Sequence, residues 1–333
     1  TLKRLLDPNG ILNPDVVLSE DPDIHLKNLK PLPAADEIVD KCIECGFCEP
    51  VCPSKGLTLS PRQRIVMWRD IQAKQRAGID TRELMRTYQY QGIDTCAATG
   101  LCAQRCPVGI NTGELVKKLR SQAADHGKTA DWLADHFHTA LGGARLTLTA
   151  ANTARKLLGA PRLSRLTASL SKASKGRLPQ WTPAMPQPLR PLDFGPASND
   201  ARPRVVYLAA CVSRVMGPAY ADREQSSLLD KTRALLEKAG YQAVFPDNAD
   251  SLCCGQPFAS KGYPEQAEHK RQELITALLH ASRGGLDPIY CDTSPCTLRL
   301  VQDLGETRLD LYDPVRFILS LIHISEPTRQ EAI

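Results

Sequence analysis

Four thiols stand in one unbroken run, Cys42-Ile43-Glu44-Cys45-Gly46-Phe47-Cys48-Glu49-Pro50-Val51-Cys52-Pro53, and eight more cysteines follow further along the 333-residue chain. All but Cys211 fall in tight groups. In a small secreted domain such a count would mean a disulfide framework, but this chain is large, carries a slight positive charge and has no secretory layout at its start. The C-x2-C-x2-C-x3-C-P spacing also disfavours structural zinc, which pairs two separated C-x2-C hooks. Three thiolates at this spacing wrap one iron-sulfur cube, while the fourth, turned away by the following proline, reaches a second cluster.

The run is that of bacterial-type ferredoxins, and its partner is Cys96-Ala97-Ala98-Thr99-Gly100-Leu101-Cys102-Ala103-Gln104-Arg105-Cys106-Pro107, in the same register with Thr99 where a second cysteine would stand. Applying the crossed connectivity groups Cys42, Cys45, Cys48 and Cys106 around one [4Fe-4S] cluster. The other set is Cys52, Cys96 and Cys102. Three thiolates suit a [3Fe-4S] centre, or a [4Fe-4S] centre whose fourth iron takes water or the Thr99 hydroxyl. The pairing resembles the iron-sulfur subunit of succinate dehydrogenase and related helical ferredoxin domains, which implies [3Fe-4S] for the second centre. Gly46, Gly100 and Gly109 fit loops whose amides approach sulfide closely.

A separate set comprises Cys211, the vicinal pair Cys253-Cys254 followed by Gly255, and Cys291 with Cys296. Neighbouring cysteines make a poor disulfide, so ligation explains the pair better. The layout resembles the cysteine-rich CCG domain of heterodisulfide reductases and of glycolate and lactate oxidase iron-sulfur subunits, which implies an unusual [4Fe-4S] cluster. It departs from that family at Cys291-Asp292-Thr293-Ser294-Pro295-Cys296, which is not C-x2-C, leaving zinc, free thiols or a redox dithiol as alternatives.

The elements that must position these sulfurs change character along the chain. Helical stretches, Pro61 to Ala77 and Thr81 to Gln89, separate the first seven cysteines. Seven prolines between Lys175 and Pro203 break helix and central strand alike and predict an extended linker. Beyond it, strands at Arg204 to Ala210, Gln242 to Phe245 and Pro288 to Tyr290 alternate with helices at Ser227 to Ala239 and Pro264 to Ser282, a pattern of α/β structure with a parallel sheet. Ligands bind outside the carboxyl ends of such strands, where Cys211 and Cys291 fall. The expected fold class is multidomain α and α/β, a mostly helical two-cluster ferredoxin domain followed by an α/β CCG domain.

Leu2-Lys3-Arg4-Leu5-Leu6-Asp7-Pro8-Asn9-Gly10-Ile11-Leu12-Asn13-Pro14 resembles the closing motif of an FAD-linked oxidase domain. With Cys102 to Arg120 and the CCG stretches, it is similar to the fused FAD-linked oxidase and iron-sulfur proteins typified by bacterial D-lactate dehydrogenases. The resemblance implies that residues 1–30 end an oxidase domain, 31–174 form the helical ferredoxin-type domain, 175–203 the linker and 204–318 the first CCG repeat. Residues 319–333 contain a stretch resembling a translated sequencing-library adapter and are set aside, so the expected chain is cut at both ends. FAD and the substrate pocket would lie upstream on the same polypeptide, and no residue here is expected to be catalytic. Electrons from 2-hydroxyacid oxidation would pass one at a time through the clusters to a quinone or cytochrome. The iron-sulfur portion of a glycolate oxidase or of a D-2-hydroxyglutarate dehydrogenase is the alternative, and a non-redox zinc-stabilised binding module the alternative from another class.

No run reaches the roughly 18 apolar residues of a membrane span, and the expected location is cytoplasmic, with peripheral membrane contact through a basic helix carrying Leu146, Leu148, Ala151, Ala154, Leu157 and Leu158 kept open. That face equally reads as a solvated helix on its own protein. His136 and His138 lack further ligands at metal spacing. Aromatic residues make up only 5%, and no nucleic-acid signature is present.

Overall fold

The computed structural model describes residues 2–15, 18–27, 29–124, 128–189, 202–303 and 308–325. The fold is α and α/β, as the alternation of elements predicts, and the chain divides into two compact units, Thr1–Val116 and Lys117–Ile333.

In the first unit a short helix α1 (Leu2–Leu6) precedes a long irregular stretch, and the order that matters begins at α2 (Pro61–Arg76). Ser60 caps it: its hydroxyl accepts from the Gln63 amide while the Gln63 side chain accepts from the Ser60 amide, and Pro61 fixes the first turn. The helix buries Ile65, Trp68 and Ile71 on one side. α3 (Arg82–Tyr88) runs into a π-helical turn, Gln89–Asp94, whose widened backbone lets the Tyr88 ring lie flat against Gly92. A Cβ at residue 92 would stand 2.5 Å from that ring. Tyr88 stacks on Trp68 at 5.8 Å and donates to the Arg64 carbonyl, so the turn before Cys96 is pinned to α2. The one-turn α4 (Leu101–Arg105) and the start of α5 (Thr112–Ala123) complete this part.

The second unit holds α6 (Lys128–Asp135), α7 (Phe137–Leu158) and α8 (Ala160–Ala173), then the α/β core. Where it is described, the proline-rich stretch passes through turns at 174–178 and 183–185 before a short strand. Trp181 in it is buried, and β1 (Pro186–Pro188) pairs antiparallel with β3 (Met216–Ala219). Residues 190–201 of that stretch lie outside the described residues.

Four parallel strands form the central sheet in the order β4-β2-β5-β6: β2 (Arg204–Leu208), β4 (Gln242–Val244), β5 (Ile289–Cys291) and β6 (Leu311–Tyr312). Alternation along β2 decides the layers. Val206 and Leu208 face Leu274, Ile275 and Leu278 of α12 (Pro264–Ala281) and Leu300 of α13 (Ser294–Asp303). Val205 and Tyr207 face Leu229 and Leu236 of α10 (Leu228–Lys238) and Phe317 of α14 (Pro314–Ser325). Fully burying a side chain such as Ile289 or Leu300 contributes roughly 1.5–3 kcal/mol, so both faces bind their helices firmly. Sequence periodicity misses α13, α14, β6 and the short α9 (Cys211–Val215) and α11 (Gln256–Lys261), each too short or too mixed in pattern to show a period. On α7, the buried position is Arg145, while Leu146 and Leu157 are 70% and 80% exposed.

Replacing Ser60 with Ala removes the hydroxyl half of the capping box and its bond to Glu49 while the residue-60 amide keeps the Gln63 side chain, and urea unfolding should show a loss of about 1 kcal/mol. Ser169→Ala, on an exposed part of α8, should leave stability within about 0.5 kcal/mol of the parent.

Candidate iron-sulfur sites

The two cysteine runs of the first unit adopt the same backbone. Glu44 and Gly46 take left-handed conformations at φ 59° and 85°, and Ala98 and Gly100 repeat them at 49° and 75°. Four backbone hydrogen bonds recur 54 positions apart: Cys42 N to Val39 O with Cys96 N to Ile93 O, Glu49 N to Gly46 O with Ala103 N to Gly100 O, Cys52 N to Glu49 O with Cys106 N to Ala103 O, and Lys55 N to Cys52 O with Gly109 N to Cys106 O. In this repeat Thr99 occupies the place of Cys45. Left-handed backbone at a non-glycine residue costs on the order of 1–3 kcal/mol, and it persists twice because it turns successive residues toward one interior space.

Each space has its own lining. Cys42, Cys45, Cys48 and Cys106 line one cavity together with Ile65 and Ile110. A second is lined by Cys52, Cys96, Cys102, Thr99 and Arg64. Among the described residues no three His, Cys, Asp or Glu side chains converge on one point as ligands of a single ion do. The seven thiols surround two hollows instead. A donor set of four thiols in one and three in the other fits the two clusters that the spacing implies.

Buried cations hold these loops. Arg69 donates to the carbonyls of Asp40 and Cys42, both at 3.1 Å, and pairs with Glu44 at 3.1 Å. Burial pushes the Glu44 carboxyl up, but Lys30 and Arg69 outweigh it and hold it below the ordinary range. Glu49 ties the first run to the helix start, accepting from Ser60 at 2.7 Å and from Arg62 at 2.9 Å. Arg64, 1% exposed, gives its Nε to Gly92 O, one terminal nitrogen to Thr95 and the other to the Cys52 sulfur at 3.7 Å. Sequence reasoning misses Arg64; its only sign there is a charge on the apolar side of α2.

In the second unit the five remaining cysteines meet at the carboxyl ends of β2 and β5. The chain leaves β2 toward β4 on one side and returns to β5 on the other, which opens a crevice between β2 and β5. Cys211 opens α9 just beyond β2, and Cys291 ends β5. Hydrogen-bond contacts link the sulfurs in one chain, Cys211 to Cys253, Cys253 to Cys254, Cys254 to Cys296 and Cys296 to Cys291, with 3.2 Å between Cys254 and Cys296. The wider spacing of the closing pair therefore still delivers both sulfurs. Asp292 between them braces the crevice: its carboxylate accepts from Ala210 N at 2.8 Å and from Tyr207 at 3.2 Å.

Mutual hydrogen bonding and burial raise four of these thiols, Cys253 to about 11 by its bond to Cys211, Cys254 to about 12 by its bond to Cys253, Cys296 to about 12 by its bond to Cys254, and Cys291 further still by its bond to Cys296. Cys211 goes down instead, through its bond from Cys253 and the Arg214 charge, against burial. Burial likewise lifts Cys48 in the first unit to about 11. Thiols in this state must release protons when they take up metal.

The glycine of the Cys-Cys-Gly run has a steric reason. Gly255 has φ 79°, and a Cβ there would lie 2.2 Å from the Ala267 carbonyl oxygen.

Comparison with known proteins agrees with this geometry. Residues 38–110 match the 4Fe-4S dicluster domain family and residues 205–300 the cysteine-rich CCG domain family. Fold and site together define an iron-sulfur electron-transfer protein with a dicluster domain followed by a CCG domain. The chain is 31% identical over 119 residues to one subunit of the dihydromethanophenazine:CoB–CoM heterodisulfide reductase of Methanosarcina mazei, and 30% over 119 residues to the corresponding protein of Methanosarcina acetivorans. It is 29% identical over 102 residues to a subunit of the H(2)/formate:CoB-CoM heterodisulfide,ferredoxin reductase of Methanococcus maripaludis. These matches cover 32%, 32% and 30% of this chain, and it spans 28%, 28% and 50% of the respective relatives. No solved structure matches it. Among the described residues no helix is long and apolar enough to cross a membrane.

Gly255→Ala should lose roughly 2–4 kcal/mol in chemical denaturation, since left-handed strain and overlap add. Gly284→Ala, at φ 75° but in open space, should lose only about 1–2 kcal/mol.

Proposed function

We propose that the chain is the iron-sulfur portion of a flavin-dependent D-2-hydroxyacid dehydrogenase of the D-lactate type, relaying single electrons from substrate oxidation in an upstream FAD domain to a quinone or cytochrome. Separate cavities lined by Cys42, Cys45, Cys48 and Cys106, and by Cys52, Cys96 and Cys102, are the observation that carries the relay. The first set would hold a [4Fe-4S] cluster and the second a [3Fe-4S] cluster. Cys211, Cys253, Cys254, Cys291 and Cys296 would hold a third centre. When bound, each cluster carries one electron at a time. The protein's own part is to hold thiolates at fixed places, to screen them from water and to set the local charge. The D-lactate assignment draws support from the Leu2 to Pro14 stretch and its similarity to the end of an FAD-linked oxidase. The exposed Leu146 and Leu157 of α7 would serve a peripheral membrane contact.

A second reading follows from the relatives. Their names make them subunits of heterodisulfide reductases, and the similarity takes in about a third of this chain. On that reading electrons would flow to a disulfide bound at the CCG crevice rather than from a hydroxyacid.

Anaerobic reconstitution should yield about 11 irons per chain if all three sites load and about 7 if only the first unit does. A colourless, iron-free product would end both readings. Thr99→Cys should add about one iron and abolish the paramagnetic signal of an oxidised three-iron centre. In the full-length gene product, D-lactate should bleach the cluster absorption. Failure of D-lactate, glycolate and D-2-hydroxyglutarate alike, with reoxidation of reduced clusters by an organic disulfide, would decide for the second reading.

A further inference from the structure

Arg214 is 1% exposed, yet its Nε and one terminal nitrogen are buried with no hydrogen-bond acceptor. Its other terminal nitrogen donates to the carbonyl of Leu252, the residue before Cys253. Three positions earlier on the same helical turn stands Cys211, so the guanidinium lies between two arms of the cysteine set. A guanidinium cannot shed its proton, and a buried cation with idle donors is costly, so the arrangement calls for an anion at those donors.

Protein carboxylates supply it only in part: Arg214 feels the charge of Asp250 but makes no hydrogen bond to it. Asp250 is engaged by Arg145, at 2.8 Å and 3.4 Å, and Arg145 also donates to the Arg214 carbonyl. Asp292, though near enough to feel the Arg214 charge, has its oxygens taken by Ala210 and Tyr207. Two guanidinium groups therefore share Asp250, and the charge left over faces Cys211 and Cys253.

We infer that Arg214 is the internal counter-cation of the CCG cysteine set, giving the donors of its two unpartnered nitrogens to the sulfur anions of a cluster there and thereby favouring that cluster's reduced form. The inference rests on the proposed loading of this set with a cluster. Reduction adds a negative charge at a fixed place, and a neighbouring cation stabilises the more negative state, strongly so where water is excluded. Arg214 is thus a positioning and tuning residue that acts through the charge it places beside Cys211 and Cys253.

The test uses the full chain, reconstituted anaerobically, as parent, Arg214→Met and Arg214→Lys. The relevant signal is identified as the one missing from Cys253→Ser and is followed by electron paramagnetic resonance during a redox titration. Arg214→Met should reduce the ratio of reduced to oxidised cluster at fixed potential by at least tenfold, a 59 mV fall for one electron, with Arg214→Lys in between. An unchanged potential in Arg214→Met, with the signal present, overturns the inference and leaves the cluster reading standing. Absence of any signal dependent on Cys253 in the parent overturns the cluster reading and this inference with it. Thermal unfolding guards against a variant that is merely unstable. Arg214→Met should lower the melting temperature of the loaded chain more than that of the metal-free chain, because the cation and the cluster are coupled. Equal losses in both states would mean that Arg214 only braces Leu252, and would also overturn it.

Discussion

Sulfur atoms that must share an interior space are the constraint around which both units are arranged. Thiols converging on a hollow cannot pack against each other as a hydrophobic core does, so the loops bearing them need support from elsewhere. In the first unit that support is the doubled left-handed turn at Glu44–Gly46 and Ala98–Gly100, stabilised by the same four backbone bonds in each copy. The remaining support is cationic. Arg69 fastens the first run through its carbonyls, and Arg64 fastens the turn before the second through Gly92 and Thr95. Both arginines project from α2, whose apolar side supplies Ile65, Trp68 and Ile71, so one helix joins the core to the two cysteine loops.

The α/β unit meets the same constraint by a different route. Here the topology itself makes the space, because the order β4-β2-β5-β6 reverses direction at β2 and leaves a crevice at its carboxyl end. Strands deliver Cys211 and Cys291, while the Cys253–Gly255 loop closes the opening from the side. Gly255 is needed because its backbone lies against α12 with no room for a side chain. Asp292 then joins the two strand ends by accepting from Ala210, so two cysteines far apart in the chain share one rigid frame.

Much of this was legible in the residues because the chemistry is written as local spacing. The grouping of seven cysteines into four and three needs only the crossed rule, and the offset between the two runs already puts Thr99 in the place of Cys45. The parallel sheet was legible for a related reason: strand and helix periods alternate cleanly from Arg204 to Cys291. What escaped was everything that depends on distant partners. No spacing singles out Arg64 or Arg214, which only the fold encloses, and the wider Cys291 to Cys296 gap read as a departure until α13 turned Cys296 back onto Cys254. The leucines of α7 suggested a single apolar face, but the helix packs through Arg145, whose partner Asp250 is more than a hundred residues away.

The two cavities of the first unit also differ in charge, and the difference has a direction. Where the first has a fourth thiol at Cys45, the second has the neutral Thr99, which removes one negative ligand. The same cavity is lined by Arg64, which donates to Cys52 and has no carboxylate partner among the described residues. One ionisable ligand fewer and a buried cation both make the protein lining of the second cavity less negative, so they reinforce each other instead of cancelling. The first cavity has cations of its own: Arg62 lines it, paired with Glu49, and Lys30 and Arg69 both pair with its Glu44. The contrast between the two linings therefore rests on the sulfurs themselves: the second set has one thiol fewer, and one of its three, Cys52, is reached directly by a buried guanidinium.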